Sequence, residues 1–278
     1  MSIFKKLFLS LLLSTTILTF VEGGLRFFDI PAKGIYEGDP ATLWTIRPNL
    51  NQSIPHSEAP FYVQTNIHGF RGAAVEKEAW LALGCSTTFG WGVEEKDTWV
   101  QQLSALVETP IINGGVPGWS THQAVQGVSK WSVFQPKVVL VSYIVRDAQL
   151  SNHADKDAVP SPIWSQMQMF RLIQQGIRKP SAKGTIARVN PDDYRRNLTR
   201  IRSAFPKAKI VFFPFPQQEE ASEWVSVLKE FSSLELPKMD SADFFATDPI
   251  HLNKDGNYRF ARILKSSLVD ASILSPQH

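Results

Sequence analysis

Cysteine is almost missing from this chain: one residue, Cys85, in 278. A lone thiol cannot close an internal disulfide and cannot build a thiolate zinc site, so no cysteine framework holds the fold. Basic runs are missing as well. The formal net charge is only +3, and no stripe of basic residues interleaved with aromatics runs along the sequence, which speaks against a nucleic-acid partner. Internal repeats are absent. Long apolar runs are absent with one exception, LFLSLLLSTTILTF from Leu7 to Phe20, which follows Lys5 and Lys6. A positively charged start ahead of an apolar run is a targeting signal. The run is short of the roughly 20 residues a full span needs, but Ile3, Phe4 and Val21 extend it. No small-x-small cleavage site follows; the chain continues VEGGLRFF. Residues 1–22 therefore read as an uncleaved signal anchor, with residues 3–21 in the inner membrane. Lys5 and Lys6 would stay cytoplasmic and the rest would lie outside, in the periplasm of a Gram-negative cell. A cleaved signal peptide and a buried core helix are the other two readings.

Residues 23–75 are rich in Pro, Gly and Asn, as in IPAKGIYEGDP and RPNLNQSIPH, and show little helical periodicity. They are expected to form an extended segment with short strands, such as FYVQTN, wrapped around the main domain. Residues 76–278 alternate between strand-like and helix-like stretches. AWLALG (79–84), PIIN (110–113), KVVLVSY (137–143) and AKIVFFPF (208–215) are near-continuous apolar runs. Parallel strands buried on both faces look like this. Helices are expected near 97–107, 120–134, 192–205, 219–233 and 255–269. The third of these opens with Asn190 as cap, Pro191 in the first helical position and Asp192 and Asp193 in the first turn, each a favourable start signal. The alternation predicts an α/β fold with a mostly parallel central sheet and helices on both faces.

Residues 148–190 break the alternation with a polar loop (SNHADKDAVPSP), an amphipathic stretch (IWSQMQMFRLIQQGI) and a basic loop (RKPSAKG). An insertion of this length tends to be functional. Ligands of open parallel sheets sit beyond the carboxyl ends of the strands, so this insertion is placed to become a lid. Trp164, Met167, Met169 and Phe170 would face substrate or simply pack the lid helix on the domain.

Four short pieces fall at or just beyond strand ends: GCSTTFG (84–90), NGGVPGWST (113–121), YIVRDA (143–148) and DPIHLNKDG (248–256). In the last, Asp248 and His251 lie three apart on an expected turn entering a helix. That spacing lets the carboxylate reach one ring nitrogen while the other faces a reacting group. Read alone, the pair also fits a cap in which Asp248 bonds backbone amides. One His and one Asp leave a zinc site short of ligands, so no metal is expected.

Together the pieces resemble the SGNH/GDSL hydrolase superfamily, in its secreted or membrane-anchored bacterial branch, from about Thr65 to Leu268. TNIHGFRG (65–72) is similar to the lead-in of the first block. GCSTTFGWGV resembles the first block, Gly-Asp-Ser-x-Thr-x-Gly, with Ser86 at the nucleophile. NGGVPGWST resembles the second, with Gly118 at the glycine whose N–H joins the oxyanion hole. DPIHLN resembles the fifth, with Asp248 as acid and His251 as base. The resemblance implies a flavodoxin-like three-layer α/β/α sandwich, a Ser86–His251–Asp248 triad, oxyanion donors from the N–H groups of Ser86 and Gly118, and no cofactor. Two positions depart from the pattern. Cys85 stands where the first block has Asp. Arg146 stands where the third block, Gly-x-Asn-Asp, has the Asn that donates to the oxyanion. Arg146 would replace it as a charged donor, reshape the pocket, or point to solvent. The implied function is an extracytoplasmic serine esterase acting on small acyl esters, acetyl above all, carried by carbohydrate or another small molecule. The other readings are a polysaccharide O-acetyltransferase using the same triad and an impaired carbohydrate-binding remnant.

Overall fold

A computed structural model describes residues 2–31, 34–72, 79–158, 167–177, 184–216 and 221–275. The chain opens with helix α1 (Ile3–Phe27), which is exposed except near Glu22, Gly24 and Leu25 and is long and apolar enough to cross a membrane. Two antiparallel hairpins follow, β1 (Tyr36–Asp39) with β2 (Leu43–Ile46), and β3 (Asn51–Ile54) with β4 (Phe61–Gln64). Then come β5 (Trp80–Gly84), α2 (Ser86–Phe89), α3 (Trp99–Leu106), β6 (Ile111–Asn113), α4 (Thr121–Ser132), β7 (Val138–Ser142) and α5 (Ile144–Asp147). The insertion holds β8 (Leu150–Ser151), α6 (Gln168–Ile177) and β9 (Ile186–Ala187). The chain closes with α7 (Pro191–Ala204), β10 (Lys209–Phe212), α8 (Ser222–Lys229), β11 (Phe244–Phe245), β12 (Asp248–Leu252) and α9 (Lys254–Asp270).

The four apolar runs pair in parallel in the order β10-β7-β5-β6. Side chains alternate across a strand, and here the alternation divides the core in two. Leu81, Leu83, Val139, Val141 and Phe212 join Trp131 of α4, Leu198 and Ile201 of α7, and Val227 and Leu228 of α8. Trp80, Ala82, Val138, Leu140 and Val211 join Trp99 and Leu103 of α3 and Phe260, Leu264 and Leu268 of α9. The result is the expected three-layer α/β/α sandwich. Each fully buried Val, Leu or Phe in these layers contributes about 1.5–3 kcal/mol. The hairpins are part of the first layer: Ile46, Ile54, Phe61 and Val63 are buried with it.

Strand order places the site. The chain runs from β5 out to β6, then returns past β5 to β7 and on to β10. The reversal lies between β5 and β7, where an open parallel sheet leaves a crevice beyond its carboxyl ends. Ser86 follows β5 and Arg146 follows β7 at that crevice.

Local signals explain most element ends. The Asn190 side chain accepts from Asp193 N at 2.8 Å and starts α7. The strand expected through residue 215 stops at Phe212, because Pro214 and Pro216 have no N–H for the ladder. The helix expected over 219–233 is narrower, Ser222–Lys229, and residues 217–220 lie outside the described ones.

In the insertion, the first amides of α6, Gln168 N and Met169 N, donate to Glu22 Oε1 and Oε2 of α1 at 2.9 and 3.0 Å. Gln168 Nε2 donates to Pro31 O at 3.3 Å. The described part of α6 therefore rests on α1, with Met167, Met169 and Phe170 half-buried. Trp164 lies outside the described residues. Within the insertion Arg188 pairs with Asp155 at 2.7 Å, and the far end of the insertion is tied back to α5 by Val189 N donating to Asp147 O at 3.1 Å.

Candidate active site

β5 is buried on both faces up to Gly84. The chain must then turn sharply into α2. A Cβ on Gly84 would lie 2.0 Å from Thr88 Oγ1 and 2.6 Å from Ser142 O, so only glycine fits. Ser86 is the first residue of α2 and is half-buried, while Cys85, Thr87 and Thr88 are buried. The turn thus exposes one hydroxyl among packed neighbours. The Cys85 thiol lies 3.3 Å from Thr87 Oγ1, fully enclosed.

A buried arginine secures the far end of α2. Arg71, 2% exposed, donates from Nη1 to Phe89 O at 2.8 Å and Gly90 O at 2.5 Å, and from Nη2 to Val93 O at 2.5 Å and Tyr62 O at 3.3 Å. Its guanidinium also covers the Phe89 ring at 4.8 Å. Burial lowers its pKa to about 10, with Glu95 and Glu94 opposing the shift, so it remains charged at neutral pH.

The candidate base arrives from much further along the chain. Asp248 and His251 were expected on a turn entering a helix. They lie instead on β12, whose pairing with β11 shifts register between Phe244 and Phe245. The irregularity brings both side chains to one side, where a regular strand would send residues three apart to opposite faces. Helix α9 has its own cap, the Asn253 side chain accepting from Gly256 N at 2.9 Å. Asp248 is left free for the histidine: His251 Nδ1 lies 2.6 Å from Asp248 Oδ2, and His251 Nε2 lies 2.7 Å from Ser86 Oγ. The His251 hydrogen bond holds the Asp248 carboxyl below its usual pKa, with smaller help from the Ile250 amide and His56 and against partial burial. An ionised carboxylate only accepts, so Nδ1 carries the ring proton and Nε2 presents its lone pair to the serine hydroxyl.

The loop after β6 is drawn to β5 by Val116 N donating to Gly84 O at 3.0 Å. Gly118 adopts φ +87°, and a Cβ there would meet the Trp44 ring at 3.1 Å. Trp44 Nε1 donates to Pro117 O at 3.2 Å. Carbonyl and N–H point opposite ways across a trans peptide, so this bond turns the Gly118 N–H away from Trp44. Among the described residues neither the Ser86 N–H nor the Gly118 N–H has a protein acceptor. Arg146 does not point to solvent: its Nε donates to Gly118 O at 3.0 Å and its Nη1 donates to Gln149 Oε1. Trp44 and Arg146 therefore hold the two peptides flanking the Gly118 Cα.

Asp147, at the end of α5, accepts from Thr121 N at 3.0 Å and from Thr121 Oγ1, and Asn197 Nδ2 donates to that hydroxyl at 3.0 Å. Burial pushes its carboxyl up to about 8, against the Thr121 hydrogen bonds. This fixes α5, and Arg146 with it, to the start of α4. Among the described residues no cluster of three or more metal-ligating side chains forms.

Arg71, Trp44 and His56 shape this site without having been expected there. Arg71 sits in the lead-in TNIHGFRG, where a glycine on either side of Phe70-Arg71 was the available hint. Trp44 and His56 belong to a segment without periodicity, and nothing local marks them.

No protein-family model matches the sequence, and no curated protein matches it. The chain is similar to solved structures. One is a protein of the G-D-S-L family from Desulfitobacterium hafniense, at 12% identity over 69% of this chain and 100% of that one, TM-score 0.47. Another is a psychrotrophic esterase from Pseudoalteromonas, at 15% over 71% and 100%, TM-score 0.47. A third is an acetylxylan esterase from Geobacillus stearothermophilus, at 14% over 70% and 96%, TM-score 0.44. These include the group that the sequence blocks resemble.

Proposed function

We propose that this chain is a serine esterase of the SGNH/GDSL kind, anchored by α1 and acting outside the cytoplasm on small acyl esters, acetyl esters of carbohydrates among them. The observation that carries the reading is the continuous relay from Ser86 Oγ through His251 to Asp248, with both contacts at hydrogen-bond length. Ser86 Oγ attacks the ester carbonyl while His251 Nε2 takes its proton. Asp248 stabilises the imidazolium without becoming protonated. The Ser86 and Gly118 N–H groups, without protein acceptors among the described residues, take the oxyanion; one such donor contributes ~10²–10³ in rate. Arg146 braces the Gly118 peptide from its carbonyl side and adds positive charge beside it. His251 then protonates the leaving alcohol and activates a water that frees the acyl group from Ser86. The test is a fluorophosphonate probe and p-nitrophenyl acetate applied to the full chain and to Ser86→Ala. Labelling and turnover are expected in the first and neither in the second. Retained labelling or turnover in Ser86→Ala sinks the proposal.

A further inference from the structure

His56 lies between β3 and β4, in the segment before the sheet, yet its side chain is only 4% exposed and stands beside Asp248. Its ring packs on Phe245 with centroids 4.5 Å apart and against Phe61 at 6.3 Å. Its Nδ1 accepts from Glu58 N at 3.4 Å. A neutral imidazole with Nδ1 accepting carries its proton on Nε2. That Nε2 points at Asp248 Oδ2 from 3.6 Å, the same oxygen that His251 Nδ1 reaches at 2.6 Å. Among the described residues Nε2 has no hydrogen-bond partner at all. Leaving a buried N–H unpaired is costly, and the carboxylate oxygen in front of it is the acceptor that would remove the cost.

Neighbouring contacts bind the same two stretches of chain. Ser57 Oγ and Thr247 Oγ1 share a hydrogen bond of 2.6 Å, and Thr247 N donates to Glu58 Oε1 at 3.3 Å. Gly92, at φ +90°, closes the corner: a Cβ there would lie 2.6 Å from the Phe245 ring and 3.1 Å from His56 Nε2. Three separate segments thus converge to place one N–H in front of the catalytic carboxylate.

Resting on the esterase reading, we infer that His56 is a positioning residue that donates from Nε2 to Asp248 Oδ2 and holds that carboxylate in register with His251. In the resting enzyme the 3.6 Å separation is longer than a hydrogen bond. It shortens when His251 becomes an imidazolium and Asp248 must keep its full negative charge, as catalytic hydrogen bonds tighten on passing to the reacting complex. His56 touches no substrate atom.

The test compares full-length wild type, His56→Phe, His56→Gln and Ser86→Ala in detergent, with p-nitrophenyl acetate turnover, fluorophosphonate labelling rate and thermal midpoint read on each. His56→Phe keeps an aromatic in the pocket and loses the donor. It is expected to lower kcat roughly ten- to hundred-fold, the range for outer groups that orient a catalytic ligand, with KM within about two-fold and labelling slowed in step. His56→Gln places an amide N–H near the lost Nε2 and is expected to recover most of kcat. An unchanged kcat in His56→Phe overturns the inference. So does equal impairment of Phe and Gln accompanied by equal loss of thermal midpoint, which makes His56 a packing residue only. Wild type that is not labelled, or Ser86→Ala that is, overturns the esterase reading itself and is seen separately.

Discussion

Replacing Arg71 with Met removes a charge but keeps a side chain of similar length. In the wild type the guanidinium serves the carbonyls of Phe89, Gly90 and Val93 at 2.5–2.8 Å, all on buried residues. Among the described residues Phe89 O keeps the Asn113 Nδ2 donor at 3.3 Å and Gly90 O keeps Val93 N at 3.4 Å, so of these three Val93 O alone is left unpaired, at a cost of about 1–3 kcal/mol. Part of this is offset, because the variant no longer has to bury an ion, itself a cost of several kcal/mol. The charged bonds to Phe89 O and Gly90 O are lost as well, each worth about 1.5–3 kcal/mol, and after the offset Arg71→Met is expected to destabilise by about 1–3 kcal/mol. For a protein of this size each kcal/mol shifts the midpoint by about 2–4 °C, so a fall of roughly 2–12 °C follows. Thermal unfolding of the full chain in detergent, followed by tryptophan fluorescence, measures it. Because the freed carbonyls close the turn that carries Ser86, kcat should fall at temperatures where the variant is still folded. A midpoint no lower than that of wild type, with unchanged kcat, would show that other donors satisfy these carbonyls and that the buried arginine does not hold the turn carrying Ser86.

Two further outcomes follow from neighbouring contacts. Trp44→Phe keeps a ring against Gly118 but loses the bond to Pro117 O; kcat is expected to fall about ten-fold, a fraction of a whole oxyanion donor, with KM little changed, and an unaltered kcat removes Trp44 from any part in aiming the Gly118 N–H. Asp147 titrates near 8 in the fold against about 3.9 in an unfolded chain; its folded pKa is raised, so its contribution to stability is full below about pH 4 and is lost as pH rises through about 8. The difference in thermal midpoint between Asp147→Asn and wild type should therefore move in favour of the variant between about pH 5 and about pH 9; a constant difference refutes a buried, protonatable carboxyl.

Much of the sandwich was legible because its strands are buried on both faces and carry unbroken apolar runs, such as LALG and VVLVS. The start of α7 was legible because Asn190 and Pro191 act through bonds three residues away or fewer. Ser86, Gly118, Asp248 and His251 could be nominated from short blocks at strand ends. The strand carrying Asp248 and His251 could not, since its shape depends on a register shift against Phe244 and Phe245 rather than on its own residues. Arg71 was hidden for a different reason: an arginine reads as surface unless the carbonyls that surround it are known, and three of the four lie 18 to 22 residues away. The seat of α6 on Glu22 spans 146 residues and leaves no local trace.

The serine and its histidine are 165 residues apart in the chain. His251 is carried on the stretch leading into α9, and α9 is fastened to the start of α3 by Asn257 Oδ1 accepting from Trp99 N at 2.9 Å and to the turn before α3 by the Lys254–Asp97 ion pair at 3.3 Å. During synthesis β5 to β10 leave the ribosome before His251, so Ser86 waits for the partner that the proposed chemistry requires. Since Phe260, Leu264 and Leu268 of α9 also cover one face of the sheet, seating α9 closes the core and aligns the relay in one event. On the proposed reading, turnover would therefore report the seating of α9 directly.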